Sequence, residues 1–237
     1  MVSGERATEL RALRDRLGLG IDDLDLLDRA LTHASITSEP GGPDYDYESL
    51  EFLGDAALGL AVAHFLFQHA PDRTPGEYSR MRAGLVNRRC LGEVAERLAI
   101  GPAIRLGKGE ETSGGRFRSA LLADCLEALI GAVYLSRGWD ATKRFVEEAF
   151  RNELERASRS DAGWDHKSRL QQHCQSLRLE LPRFELVRSE GPDHQKLFEV
   201  EVYIRGEPAG RGAGLSKKEA EQNAARAALE REGVFGH

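Results

Sequence analysis

A multidomain chain, with an all-α domain followed by a smaller α+β (αβββα) domain, is what these 237 residues predict. Three observations carry that expectation. Apolar residues recur at helical spacing to about residue 150, with no competing strand signal. Within that half, Glu48–Phe67 and Ala120–Leu135 are apolar on nearly every side and charged almost solely by acids. Beyond a stretch of small and polar residues, the pattern becomes helix, three alternating strands, helix. The limits read from this are 5–150 for the helical domain, 151–164 for a linker and 165–234 for the αβββα domain.

In chain order, Thr8–Leu17 is amphipathic, and Asp22–Ala34 reads as a second helix with Leu24, Leu27 and Leu31 on one face. Ser38–Tyr47 (SEPGGPDYDY) is a loop by its Pro, Gly and Asp content, and it leads into the first acid-bearing helix. Pro71–Gly76 is the next break. Ser79–Asn87 and Arg88–Leu98 follow as helices, closed by Gly101-Pro102. Gly107–Arg118 is a Gly-rich turn region before the second acid-bearing helix, and the run DATKRFVEEAFRNELERA after Gly138 makes one more amphipathic helix. The small, polar residues of Ala157–Asp165 have linker composition.

The acids carry the chemistry. At about 100° per residue, Glu48, Glu51 and Asp55 fall on one narrow stripe of their helix, and Asp124 and Glu127 do the same on theirs. A helix apolar nearly all round is expected to be buried. Buried carboxylates are costly unless paired, protonated or bound to metal, and neither segment contains Lys or Arg. A solvated acidic face is the ordinary alternative, but such a face carries many polar residues, whereas these helices offer the acids beside Gly54, Ala56 and Ala57. The pattern points to a divalent-cation site. All-oxygen ligation suits Mg²⁺, with Mn²⁺ able to substitute, and disfavours Zn²⁺.

Composition is that of a soluble globular protein, with 41% apolar and 30% charged residues. The acids at 51, 55, 124 and 127 interrupt both candidate membrane-length segments, so no membrane partner is expected. The N-terminus lacks a basic stretch followed by an apolar core, so no secretory signal is expected either. Three widely spaced cysteines suit a reducing cytoplasm, with Cys90 and Cys125 expected in the core. The net charge of −6 is uneven: from Asp165 onward twelve basic residues face twelve acidic ones, so the deficit lies in the helical half. Global charge therefore does not exclude a local basic patch.

In the tail, Pro182–Arg188, Leu197–Ile204 and a short run around Pro208–Gly212 read as strands, and SEGPDHQK as the first turn. HKSRLQQHCQSLRL precedes them as a helix, and an alanine-rich helix capped by Ser216 follows. Phe184, Phe198 and Tyr203 are expected in the core, since they lie in alternating strands.

The motifs ESLEFLGDA and LADCLEALIGA resemble the catalytic core of bacterial ribonuclease III, and the tail ending in GLSKKEAEQNAA resembles a double-stranded RNA-binding domain. The resemblance covers nearly the whole chain. It implies an endoribonuclease that cleaves double-stranded RNA with Mg²⁺, leaves 5′-phosphate and 3′-hydroxyl ends, and processes ribosomal RNA precursors and other structured RNAs. By the same resemblance Glu51, Asp55, Asp124 and Glu127 bind the metal, Asp55 and Glu127 matter most for chemistry, and Glu48 is an outer acid of the site. Ser168, Gln171, Gln172 and Gln175 match minor-groove contacts, and His194 matches an entry to the next minor groove. Lys217 and Lys218 match phosphate contacts at a helix start, where the dipole also favours phosphate. A homodimer through the catalytic domain is implied as well. One departure stands out: the family often has Glu-Gly where this chain has Pro75-Gly76, and Glu77, two residues along what reads as a loop, is the candidate substitute. The runner-up reading is a catalytically silent dsRNA-binding protein. A metal-dependent phosphohydrolase of small substrates leaves the tail unexplained.

Overall fold

Capping side chains and close glycine contacts set most boundaries in the computed structural model, which describes residues 2, 4–71, 73–159, 165–192 and 196–234. The chain divides into two units, Met1–Gly163 and Trp164–His237.

In the first unit, α1 (Gly4–Leu17) buries Ala7, Leu10 and Leu13. Helix α2 (Leu24–Ala30) starts where the Asp23 carboxylate accepts from the N–H groups of Asp25 and Leu26. It ends earlier than the sequence pattern predicts. Thr32 leaves the helix to bridge Arg105: the Arg105 N–H donates to Leu31 at 2.7 Å and the His33 N–H to Arg105 at 3.0 Å. A separate turn, α3 (Ala34–Thr37), capped by His33, begins only at the last residue of the expected helix. After the loop comes α4 (Glu48–His69).

Helix α5 (Pro75–Leu85) corrects the expected break. Thr74 and Glu77 form a capping box, and Pro75 takes the first helical position, where its missing N–H costs nothing. Glu77 is thus in a helix, not on a loop. Asn87 caps α6 (Arg88–Arg97), its side-chain oxygen accepting from the Cys90 N–H. The Gly-rich region is partly ordered, as α7 (Lys108–Thr112) and a 3₁₀ turn at Gly115–Phe117. The stretch α8 (Ser119–Ala149) is broken at Gly138 (φ 72°, ψ −172°), so the two helices expected on either side of that glycine meet at a sharp kink. Residues assigned to the linker form α9 (Arg151–Arg159). Leu154 sits in the core and Glu153 pairs with Arg97 at 2.9 Å, which holds this helix to the first unit.

Packing of α4 on α8 is backbone to backbone. A Cβ on Gly54 would lie 1.7 Å from the Glu127 carbonyl oxygen, and one on Gly131 would lie 2.3 Å from that of Leu50, so only glycine fits either place. Around this contact Leu58, Val62, Leu66, Leu126, Leu129 and Ile130 fill the core. By length and composition alone both helices pass for membrane spans, which corrects the expectation that their acids rule this out; most of α8, and the smaller part of α4, instead packs inside the unit. Nor is α4 buried all round. Phe52 (81% exposed), Ala56, Leu60 and Phe67 form an open apolar stripe along it.

A buried polar cluster centres on Asp28. Asp28 is 1% exposed and accepts from Arg6 at 2.6 Å, Arg105 at 2.8 Å and the Tyr45 hydroxyl at 2.9 Å. Burial works against its charge, but the Arg6 and Tyr45 hydrogen bonds and the two guanidinium charges outweigh it and hold its pKa below the ordinary value.

The second unit runs α10 (His166–Ser176), β1 (Arg183–Glu190), β2 (Leu197–Ile204), β3 (Glu207–Gly214), α11 (Lys217–Arg231). The strands pair antiparallel in the order β1-β2-β3, with irregularities at Leu186/Arg188 and Val202/Tyr203. Gly210 and Gly212 let α11 lie directly on β3: a Cβ on Gly212 would be 2.1 Å from the Ala224 nitrogen. Leu170, Cys174, Val200, Val202 and the alanines of α11 make a small core, with Phe184 and Phe198 packed against it. Tyr203 is corrected to the other face of the sheet. Strand alternation turns it away from Val200 and Val202, and its hydroxyl donates to Glu201.

Candidate active site and RNA-contact surfaces

The α4–α8 glycine contact brings the two acid stripes into one groove, lined by Glu48, Glu51, Phe52 and Asp55 from α4, Asp124 and Glu127 from α8, and Val86 and Arg88 near the start of α6. One oxygen from each of Glu51, Asp124 and Glu127 lies within 4.8 Å of the other two. These three are half-buried, whereas Glu48 and Asp55 line the groove from exposed positions and are not in the close trio. The buried stripes expected from sequence are therefore half right: the inner acids are sheltered, the outer ones are not.

Electrostatics follow from that crowding. Burial, then the charges of Asp55, Glu51 and Asp124, push Glu127 up to about 8. Burial and neighbouring acids raise Glu51, and burial raises Asp124 against the opposing pull of Arg88 and His33. Tyr47, buried at the start of α4, has its hydroxyl held protonated by burial and by nearby anionic groups. Arg88 is the one cation among the described lining residues, with Nη2 3.8 Å from Asp124 Oδ1. Three oxygen donors converging with too little compensating charge fit a hard divalent cation, which would displace the proton the groove otherwise retains.

Glu77 does not join the groove. It is fully buried, accepts from the Thr74 N–H at 2.6 Å, and is absent from the lining. Arg88 was missed in the sequence because it comes from a third helix; its only signal was a basic pair directly after a capping Asn. Cys125 is buried as expected, its thiol donating to the Ala30 carbonyl, while Cys90 is only half-buried.

In the second unit Ser168, Gln172 and Gln175 fall on the side of α10 away from Leu170 and Cys174, with Gln171 on the flank between. Lys217 and Lys218 are exposed in the first turn of α11, behind the Ser216 cap. His194 lies outside the described residues.

A helical unit with a groove of clustered carboxylates is thus followed by a separate αβββα unit. A family model described as Ribonuclease-III-like matches residues 23–154, and one described as Double-stranded RNA binding motif matches residues 166–232. "Ribonuclease 3" of Thermobifida fusca is 47% identical over 93% of this chain and 90% of its own length. The protein of the same name from Syntrophotalea carbinolica is 42% identical over 92% of this chain and 94% of its own. Among solved structures, the nuclease domain of ribonuclease III from Campylobacter jejuni superposes with a TM-score of 0.54 at 37% identity, covering 59% of this chain and 96% of that one. The chain belongs to the ribonuclease III family and is an endoribonuclease specific for double-stranded RNA.

Proposed function

We propose that the groove binds Mg²⁺ through Glu51, Asp55, Asp124 and Glu127, and that Asp55 and Glu127 are the residues on which hydrolysis most depends. The observation that carries this reading is the close trio of half-buried carboxylates, crowded enough to raise Glu127 to about 8. Bound there, Mg²⁺ supplies polarisation of the scissile phosphate and activation of the attacking water, a role Mn²⁺ can also fill. The chain's own part is to hold the acids at fixed spacing, to release the Glu127 proton as the cation enters, and to keep Glu48 at the rim as an outer acid. Water adds to phosphorus as the P–O3′ bond breaks, leaving 5′-phosphate and 3′-hydroxyl ends.

Ser168, Gln171, Gln172 and Gln175 are proposed to contact 2′-hydroxyls, His194 to enter the neighbouring minor groove, and Lys217 and Lys218 to grip phosphate. Cutting both strands of a duplex needs two sites, which a twofold homodimer provides. The open apolar stripe of α4, running from Phe52 beside the groove to Phe67, supports that pairing. The cellular role proposed is processing of ribosomal RNA precursors and other structured RNAs in the cytoplasm, in keeping with three free cysteines.

The deciding experiment incubates the full chain with an end-labelled RNA duplex, with and without Mg²⁺, and sediments the protein at micromolar concentration. Mg²⁺-dependent cuts on both strands by a dimer are expected. Equal cutting in the presence of chelator rejects the metal, and a monomer that cuts both strands in concert rejects the dimer.

A further inference from the structure

The groove has a structural peculiarity beyond its acids. Five carboxylates line it, yet its substrate is itself a polyanion, and among the described lining residues one cation faces them. Arg88 opens α6 immediately after the Asn87 cap, so its backbone is fixed where the positive end of a helix dipole also lies. Its guanidinium is not spent on structure. The side chain is 74% exposed, and 3.8 Å to Asp124 is longer than a hydrogen bond, a through-space pairing of the kind worth little at a surface. The next residue behaves differently: Arg89 donates to Glu93 at 3.0 Å and lines a separate cleft with Cys90 and Arg156. Two adjacent arginines thus diverge, one to a local ion pair and one over the acids.

We propose that Arg88 binds the substrate at the cut, its planar fork holding a backbone phosphate of the cleaved strand beside the carboxylates. Asp124 keeps the guanidinium near the groove but makes no hydrogen bond that must be broken when phosphate arrives. The inference rests on the groove being the cleavage site. Its alternative is that Arg88 merely offsets acid repulsion, in which case removing it alters metal affinity and not RNA affinity.

The test compares the full-length protein with Arg88→Ala and Arg88→Lys in three measurements. Duplex affinity against salt in Ca²⁺, which is chosen to hold RNA without cutting, should lose about one unit of log–log slope in the Ala variant and regain it in the Lys variant. Cleavage in Mg²⁺ should show KM raised about tenfold in the Ala variant, with a smaller change in kcat. Mn²⁺ affinity without RNA should be unchanged or tighter. An unchanged salt slope and KM overturn the proposal, whether or not Mn²⁺ affinity moves. If the unmodified chain binds duplex but does not cut it in Mg²⁺, the reading of the groove fails, while the Ca²⁺ slope still decides whether Arg88 touches phosphate.

Discussion

The helical unit shelters two groups of acids and treats them in opposite ways. Asp28 has two arginines and a tyrosine hydroxyl aimed at its two oxygens, and its pKa is lowered. Glu51, Asp124 and Glu127 have one another and a loosely placed Arg88, and their pKa values are raised. An acid that holds a fold together arrives with its counter-charges built in. The acids proposed to bind metal are left short of them, an electrostatic cost that a bound cation would relieve.

The contrast is broken most severely in the groove. Glu127→Gln keeps the shape but removes a ligand charge, so single-turnover cleavage should fall by roughly a thousandfold or more, at about tenfold per 1.4 kcal/mol of lost transition-state stabilisation. Duplex affinity should hold. Because the same change relieves like-charge crowding where Glu127 is ionised, the metal-free variant should melt no lower than the parent above pH 8, and a clear loss of thermal stability there would refute the account of a strained groove.

Asp28→Asn should do the reverse. Breaking this buried ion pair takes the acid away from Arg105 and leaves Arg6 with Glu9 alone, and costs about 3–5 kcal/mol, read as a lower urea midpoint. Whatever fraction remains folded should cut duplex normally.

The two groups also differ in their response to pH. Glu127 ionises near its ordinary 4.5 when unfolded but near about 8 when folded, so across that window the folded state binds more protons and metal-free stability falls as pH rises. Asp28 has a lowered folded pKa; its contribution is present above the unfolded value and is lost as pH drops through the folded one. Melting curves of chelator-treated protein from pH 5 to 8 should therefore decline, and Mg²⁺ should raise the midpoint more at pH 8 than at pH 6. A midpoint that rises steadily with pH in chelator would contradict the groove's assignment.

Smaller effects come from acids and bases outside the contrast. Replacing Lys217 and Lys218 with alanine should flatten the salt dependence of duplex binding by about one to two log–log units without altering the site's chemistry. Glu77 resembles Asp28, a buried acid used in capping, so Glu77→Ala should cost about 1 kcal/mol of stability and barely change cleavage. A cleavage loss as severe as that of Glu51→Ala would instead place Glu77 in the role that the family often gives a glutamate at the Pro75 position.

The carboxylates were legible because helix periodicity alone aligns residues 48, 51 and 55, and 124 with 127. The order of elements in the second unit was legible for a similar reason, since strand alternation and the Ser216 cap are local. What escaped was set at a distance. Thr32 leaves its helix because Arg105 pairs with it, seventy-three positions along. Arg88 reaches the groove from a third helix, and α4 looked buried because composition cannot tell an apolar side that meets the core from one left open. Pro75 read as a break because proline signals both an end and a first helical turn.

Gly54 and Gly131 give the groove a hard stop. Main chain rests on main chain there, so the gap between the acid stripes is set by atoms that have no rotamers to change. Repacking the surrounding leucines can loosen the unit without altering the reach from Glu51 to Glu127. Warming toward the transition should therefore leave cation affinity nearly constant until the helices part, and then abolish it together with the fold.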